Sequence, residues 1–120
     1  MIILKRVYDP VGTEEGARYF VERLWPRGIK KESLAKDTWL KDAAPSAELR
    51  QWFSHDLDKW DEFQKRYTKE LEAHADILKP LLEQARRGNV ILLYGAKDTE
   101  HNSALVLKNY LEKHLQAVKG

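Results

Sequence analysis

The apolar residues of this chain fall into short β-like runs near the start, helical stripes through the middle, and one unbroken run followed by a last stripe. "IILKRVY" (residues 2 to 8) is β-branched and aromatic and ends at Asp9, Pro10 and Gly12, residues that turn a chain, so it is read as a first strand. "RYFVERL" (18 to 24) has the same character, is entered through Gly16 and is stopped by Pro26, whose missing N–H cannot continue a ladder. The link between them is too short for a helical crossover, which predicts an antiparallel or hairpin-like pair. From Lys30 to Pro45 the pattern is irregular, with a helical turn expected at 32 to 35 and a short extended piece around Thr38 to Leu40.

Helical spacing then takes over. Ser46 stands as an N-cap before "AELRQWF", where Leu49, Trp52 and Phe53 fall at i, i+3 and i+4. After "SHDLD" a longer stripe of Trp60, Phe63, Tyr67 and Leu71 predicts a helix, with Asp61 to Lys65 and Glu62 to Arg66 as i,i+4 pairs on its outer face. Pro80 is expected to kink or interrupt this helical stretch, and Gly88, after Arg86 and Arg87, to end it. "NVILLYG" (89 to 95) runs apolar without alternation, as a strand buried on both faces between helices does. The following segment opens with Asp98 and Thr99 as capping residues and carries Ala104, Leu107, Leu111, Leu115 and Val118 at helical spacing.

The order β, β, irregular, α, α, β, α predicts an α/β fold: a small sheet of mixed or mainly parallel strands with helices packed on it, in a single compact domain spanning residues 1 to 120. In such sheets ligands sit beyond the carboxyl ends of the strands. Two segments occupy that place, "ERLWPRGIKK" and "YGAKDTEHN".

Composition narrows the chemistry. With 42% hydrophobic and 33% charged residues the chain is of globular type, and 21 Lys and Arg against 19 Asp and Glu leave a net charge of +2, so global charge argues neither for nor against nucleic acid. The absence of cysteine removes thiolate nucleophiles, disulfides, cysteine-ligated zinc and iron–sulfur clusters. The start of the chain reads as a strand and not a signal peptide, and no stretch has the length of a membrane span. A cytoplasmic protein without a membrane partner is the expectation.

In the first segment, Arg23 and Arg27 can clamp a phosphate or carboxylate and Trp25 can stack on a flat ligand. The competing reading is a corner set by Pro26 and Gly28, with Trp25 packed inward and the arginines paired to Asp9, Asp37 or Asp42. In the second, Gly95 allows close approach, Lys97 offers a charge, and His101 and Asn102, placed in the first helical turn, supply a candidate acid or base and a hydrogen-bonding amide. Its competing reading is a cap by Asp98 or Thr99 with Asn102 tying the loop. His55, Asp56 and Asp58 in "SHDLD" lack the spacing of a metal site, so no metal and no cofactor are expected. Ser46 has no nucleophile elbow around it.

The stretches "KRVYDP", "VERLWPRGIKKE", "DTWLKDAAPSAELRQWFSHD", "FQKRYTKEL" and "VILLYGAKDTEHNSALVL" resemble the YeaO-like group of the domain of unknown function numbered 488, over nearly the whole chain. The resemblance implies a bacterial cytoplasmic protein with no agreed activity. Glu22 stands where the family is expected to carry aspartate, and the paired cysteines of other branches are missing, so no cysteine mechanism carries over.

The functional expectation is a pocket for a small anionic, phosphorylated or nucleotide-like ligand, bound by Arg23, Trp25, Arg27, Lys97, Asp98, His101 and Asn102, with His101 the catalytic candidate if a reaction occurs. The alternatives are nucleic-acid binding on a basic face of Lys30, Lys31, Arg50, Lys65 and Arg66, and a non-catalytic interaction module. Oligomeric state is not written in the chain.

Overall fold

Four parallel strands make the sheet in the order β1-β4-β2-β3, with β1 at Ile2–Arg6, β2 at Ala17–Phe20, β3 at Thr38–Trp39 and β4 at Val90–Tyr94. The computed structural model describes residues 1–9, 16–30 and 38–118. Its helices are α1 (Ala47–Phe53), α2 (Trp60–Ala73), α3 (Ala75–Arg87) and α4 (Ser103–Val118), with 3₁₀ turns at Lys41–Ala43 and Leu57–Lys59. This is an α/β fold, as the order of elements predicts.

The expected pairing of the first two strands does not occur. β4 lies between them, parallel to both, with Ile2 opposite Val90 on one side and Ala17 opposite Val90 on the other. The strand with the longest apolar run takes the centre, where both of its edges are paired and all five residues are buried. β2 is also shorter than "RYFVERL" suggests. Val21 N–H still reaches Leu93 O at 3.2 Å, but the chain then leaves the sheet and the Glu22 carbonyl accepts from Trp39 Nε1 at 2.7 Å. The helical turn expected at 32 to 35 lies outside the described residues.

The two faces of β4 are covered differently. Val90, Leu92 and Tyr94 join the main core with Phe53 of α1, Phe63, Tyr67 and Leu71 of α2, Leu78 and Leu81 of α3, and Leu107 and Leu111 of α4. Ile91 and Leu93 point the other way, where, with Phe20, they meet Ile3, Val7, Trp25 and Ile29. Among the described residues, then, the helices pack on one face, and the Trp25 corner helps to cover the other. Helices on both sides had been the expectation; among the described residues the second face is met by the large side chains of this corner, since burying an apolar face requires area and not a particular element.

The helical stretch breaks at His74, between α2 and α3, while Pro80 sits inside α3. By the second turn of a new helix a proline removes one hydrogen bond, that to the Asp76 carbonyl, and the helix passes through it. Gly88 ends α3 as expected.

Ser46 does cap α1: its Oγ accepts from Leu49 N–H at 3.1 Å and donates to Glu70 of α2 at 2.6 Å, and its N–H donates to the same carboxylate at 2.8 Å. Tyr67, whose phenol burial pushes far above its ordinary pKa, donates to the Ala43 carbonyl one turn before that cap. These bonds fix the start of α1 against α2. Ser46→Ala is therefore expected to cost about 1–2 kcal/mol, the range for losing a cap together with a charge-assisted bond, read as a lowered urea midpoint with unchanged slope.

Candidate functional site

Because the strands are parallel, the ends of β1, β2 and β4 emerge on one edge of the sheet, and the segments after them line a cleft of about 320 Å³. Tyr8 comes from the end of β1, Glu22 to Arg27 from the end of β2, and Gly95 and Ala96 from the end of β4. The wall on the helix side is Ala44, Pro45, Arg50, Phe53, His55 and Phe63, and His101, Asn102 and Ser103 complete it at the entry to α4. Both candidate segments thus reach one cleft.

"WPRG" is a corner as well as a wall. Ile29 N–H reaches Pro26 O at 3.3 Å, and Gly28 holds φ +79, the left-handed value that the third residue of a type II turn requires. Trp25 packs edge-on against Phe20 and Trp39 at 6.1 and 5.3 Å, and its Nε1 donates to Ile29 O at 2.7 Å. Its indole is engaged in structure, and Trp25 also lines the cleft. Tyr8 Oη donates to the Arg27 backbone carbonyl at 2.8 Å, tying the corner to the end of β1.

The cations behave differently. Arg23 spends its Nε on Pro45 O at 3.1 Å. Neither Arg23 nor Arg27 pairs with Asp9 or Asp42, and Asp37 lies outside the described residues. Among the described residues the guanidinium groups of Arg27 and Arg50 make no hydrogen bond or ion pair. The cleft therefore holds three arginines and two histidines against one acid, Glu22.

Glu22 joins the two segments. Its Oε1 accepts from the N–H groups of Gly95 and Ala96, the latter at 3.3 Å. From the other side Arg6 donates through Nε to Ala96 O at 2.9 Å and through Nη2 to Gly95 O at 3.3 Å. One carboxylate on the donors and one guanidinium on the acceptors fix the backbone of the loop after β4. Behind it, burial holds the Tyr94 phenol above its ordinary pKa, with Arg6 pulling down and Asp9, Asp98 and Glu22 pushing up, so it stays neutral.

In "GAKDTEHN" the helix starts later than expected. Asp98 caps a separate turn by accepting from Glu100 and His101 N–H at 2.9 and 3.0 Å, which lowers its pKa with further help from the His101 ring. Asn102, 4% exposed, is the residue that caps α4: its Oδ1 accepts from Leu105 N–H at 2.9 Å while its Nδ2 donates to Asp98 O at 2.9 Å. Two capping residue types sit four apart, and the second begins the helix. His101 and Asn102 therefore precede the first helical turn.

His101 Nδ1 lies 3.0 Å from Asp98 Oδ2 and its ring stands edge-on to Trp60 at 5.2 Å, an arrangement that orients the ring, and Nε2 makes no hydrogen bond among the described residues. Asp98 reaches the site only through His101, and Lys97 is exposed and does not line the cleft.

Sequence reasoning missed Glu22, Arg50 and His55 as site residues. Arg50 had been assigned to a basic face, but it lines the cleft, while Arg66 sits 4.1 Å over the Trp52 ring and pairs with Glu62. Lys31 is outside the described residues. His55 reaches the cleft because Ser54 and His55 hold φ of 46 and 57, left-handed values uncommon for residues with side chains. Asp56 then caps the turn at Leu57–Lys59 by accepting from Asp58 N–H at 3.0 Å, which accounts for "SHDLD". No group of three or more potential metal ligands occurs among the described residues, and no helix there is long and apolar enough to cross a membrane.

Comparison with known proteins places the chain. The family model described as the inactive DUF488-N3 subclade matches residues 1–120. The protein of Escherichia coli K12 described as "Uncharacterized protein YeaO" is 46% identical over 107 residues, covering 89% of this chain and 93% of its own. "Uncharacterized protein Rv3073c" of Mycobacterium tuberculosis H37Rv is 37% identical over 106 residues, covering 88% and 89%. No solved structure gives a significant match. The chain belongs to the YeaO-like DUF488 family, within its inactive DUF488-N3 subclade.

Proposed function

We propose that this protein binds a small phosphorylated or otherwise anionic molecule in the cleft at the strand ends, and holds it without turning it over. The observation that carries this reading is the set of Arg23, Arg27 and Arg50 lining one cleft, with the guanidinium groups of Arg27 and Arg50 making no hydrogen bond or ion pair among the described residues. Cations facing a common cleft repel one another, and an anion between them relieves that repulsion while gaining charge-assisted hydrogen bonds. The place is the one where open α/β sheets hold ligands. The description of the matched subclade as inactive favours holding over catalysis.

Thermal unfolding with phosphate, pyrophosphate and a phosphate monoester, against chloride at matched ionic strength, tests it. A ligand at about a hundred times its Kd stabilises the native state by about 2.7 kcal/mol, so a rise of several degrees with the phosphates is expected. Equal melting in all four solutions would contradict the proposal.

A further inference from the structure

Glu22 is out of place in a cleft built for an anion, and its position suggests what else the ligand carries. This inference rests on the anion-binding reading of the same cleft. The carboxylate makes no ion pair with Arg23, Arg27 or Arg50; its Oε1 accepts from two backbone N–H groups of the loop after β4. Among the described residues Oε2 takes no hydrogen bond. Both oxygens stand 3.7 Å from the point where a Cβ on Gly95 would sit, and Tyr8 Cε2 stands 3.8 Å from the same point. Glu22, Gly95 and Tyr8 all line the cleft. The missing side chain of Gly95 thus leaves an opening beside a fixed carboxylate oxygen.

A negative charge there weakens a bare anion by repulsion. It strengthens an anion that presents a donor to it, since a hydroxyl bonded to a carboxylate gains the larger charge-assisted energy and the acceptor is already oriented. The same group therefore selects by attraction and by repulsion. We infer that Glu22 makes the cleft selective for a phosphate ester that also carries hydroxyl groups: a sugar phosphate of single-ring size, bound with its phosphate on the arginines and a hydroxyl on Glu22 Oε2. A volume of about 320 Å³ is at the small end of ligand pockets, which suits one sugar ring and its phosphate.

Calorimetric titration with ribose 5-phosphate, propyl phosphate and inorganic phosphate tests this on three proteins. The wild type should prefer ribose 5-phosphate to propyl phosphate by about tenfold or more. Glu22→Gln keeps an oxygen for the two N–H groups but turns the free acceptor into a donor, so that preference should fall below about threefold while propyl phosphate binds as well as before or better. Gly95→Ala adds a methyl at ordinary contact distance; it should melt like the wild type and lose the preference. Equal wild-type affinity for the two esters, or a preference that survives Glu22→Gln, overturns the sugar assignment and leaves anion binding standing. No binding of any of the three phosphates overturns both.

Discussion

Replacing Gly16 by alanine is expected to be the most damaging addition of one methyl group to the described chain. A Cβ there would lie 2.5 Å from the Asn89 carbonyl oxygen and 2.9 Å from its carbonyl carbon, closer than such atoms approach. These are backbone atoms at the entry to the central strand, and Ala17 N–H bonds the same oxygen at 3.1 Å. The clash is relieved only by moving β2 away from β4, along a register that runs from Ala17–Val90 to Phe20–Leu93. Overpacking costs about 1–3 kcal/mol and each stretched ladder bond adds about 1. A loss of about 3 kcal/mol, or roughly 10 °C in melting temperature, is expected out of the 5–15 kcal/mol typical of a domain. Gly88→Ala is the control: a Cβ there meets nothing within 4 Å, and its melting point should change by no more than a degree or two.

The second large effect concerns binding. Arg27 is exposed, and its backbone carbonyl, not its side chain, is what Tyr8 holds. Arg27→Ala therefore removes a guanidinium and leaves the corner in place. Loss of a charge-assisted contact to phosphate, about 1.5–3 kcal/mol, should weaken a phosphate ligand about ten- to hundredfold while the unliganded melting temperature stays within a degree or two. Arg23→Ala is expected to lose affinity and stability together, because Arg23 Nε also holds the Pro45 carbonyl in front of α1.

How far the chain can be read from its sequence follows from the range of the interactions involved. The helices were legible because their stripes are local: Leu49 and Phe53, or Phe63, Tyr67 and Leu71, fall on one face by spacing alone, and all are buried. Ser46 was legible because a cap acts within one turn. The unbroken run from Val90 to Tyr94 signalled a strand buried on both faces through its composition.

Sheet order was not legible, since it depends on a strand that enters after three helices and separates two others that are close in sequence. The site divided in the same way. Arg23, Arg27 and His101 belong to segments whose place at strand ends could be inferred, and they do line one cleft. Lys97 shares such a segment and does not line it. Arg50 and His55 arrive through the packing of α1 and two left-handed residues, neither of which a local pattern announces. Glu22 reads as one more surface acid until Gly95 and Ala96, far along the chain, are set beside it.

The most direct test of the account is an amide NMR titration of the full chain with inorganic phosphate at constant ionic strength. Saturable shifts are expected at Glu22 to Arg27, at Arg50 to His55, at Gly95 and Ala96, and at His101 to Ser103, the segments that meet at the strand ends. Shifts that do not saturate, or that gather on the outer face of α2 around Lys65 and Lys69, would contradict an anion site in the cleft.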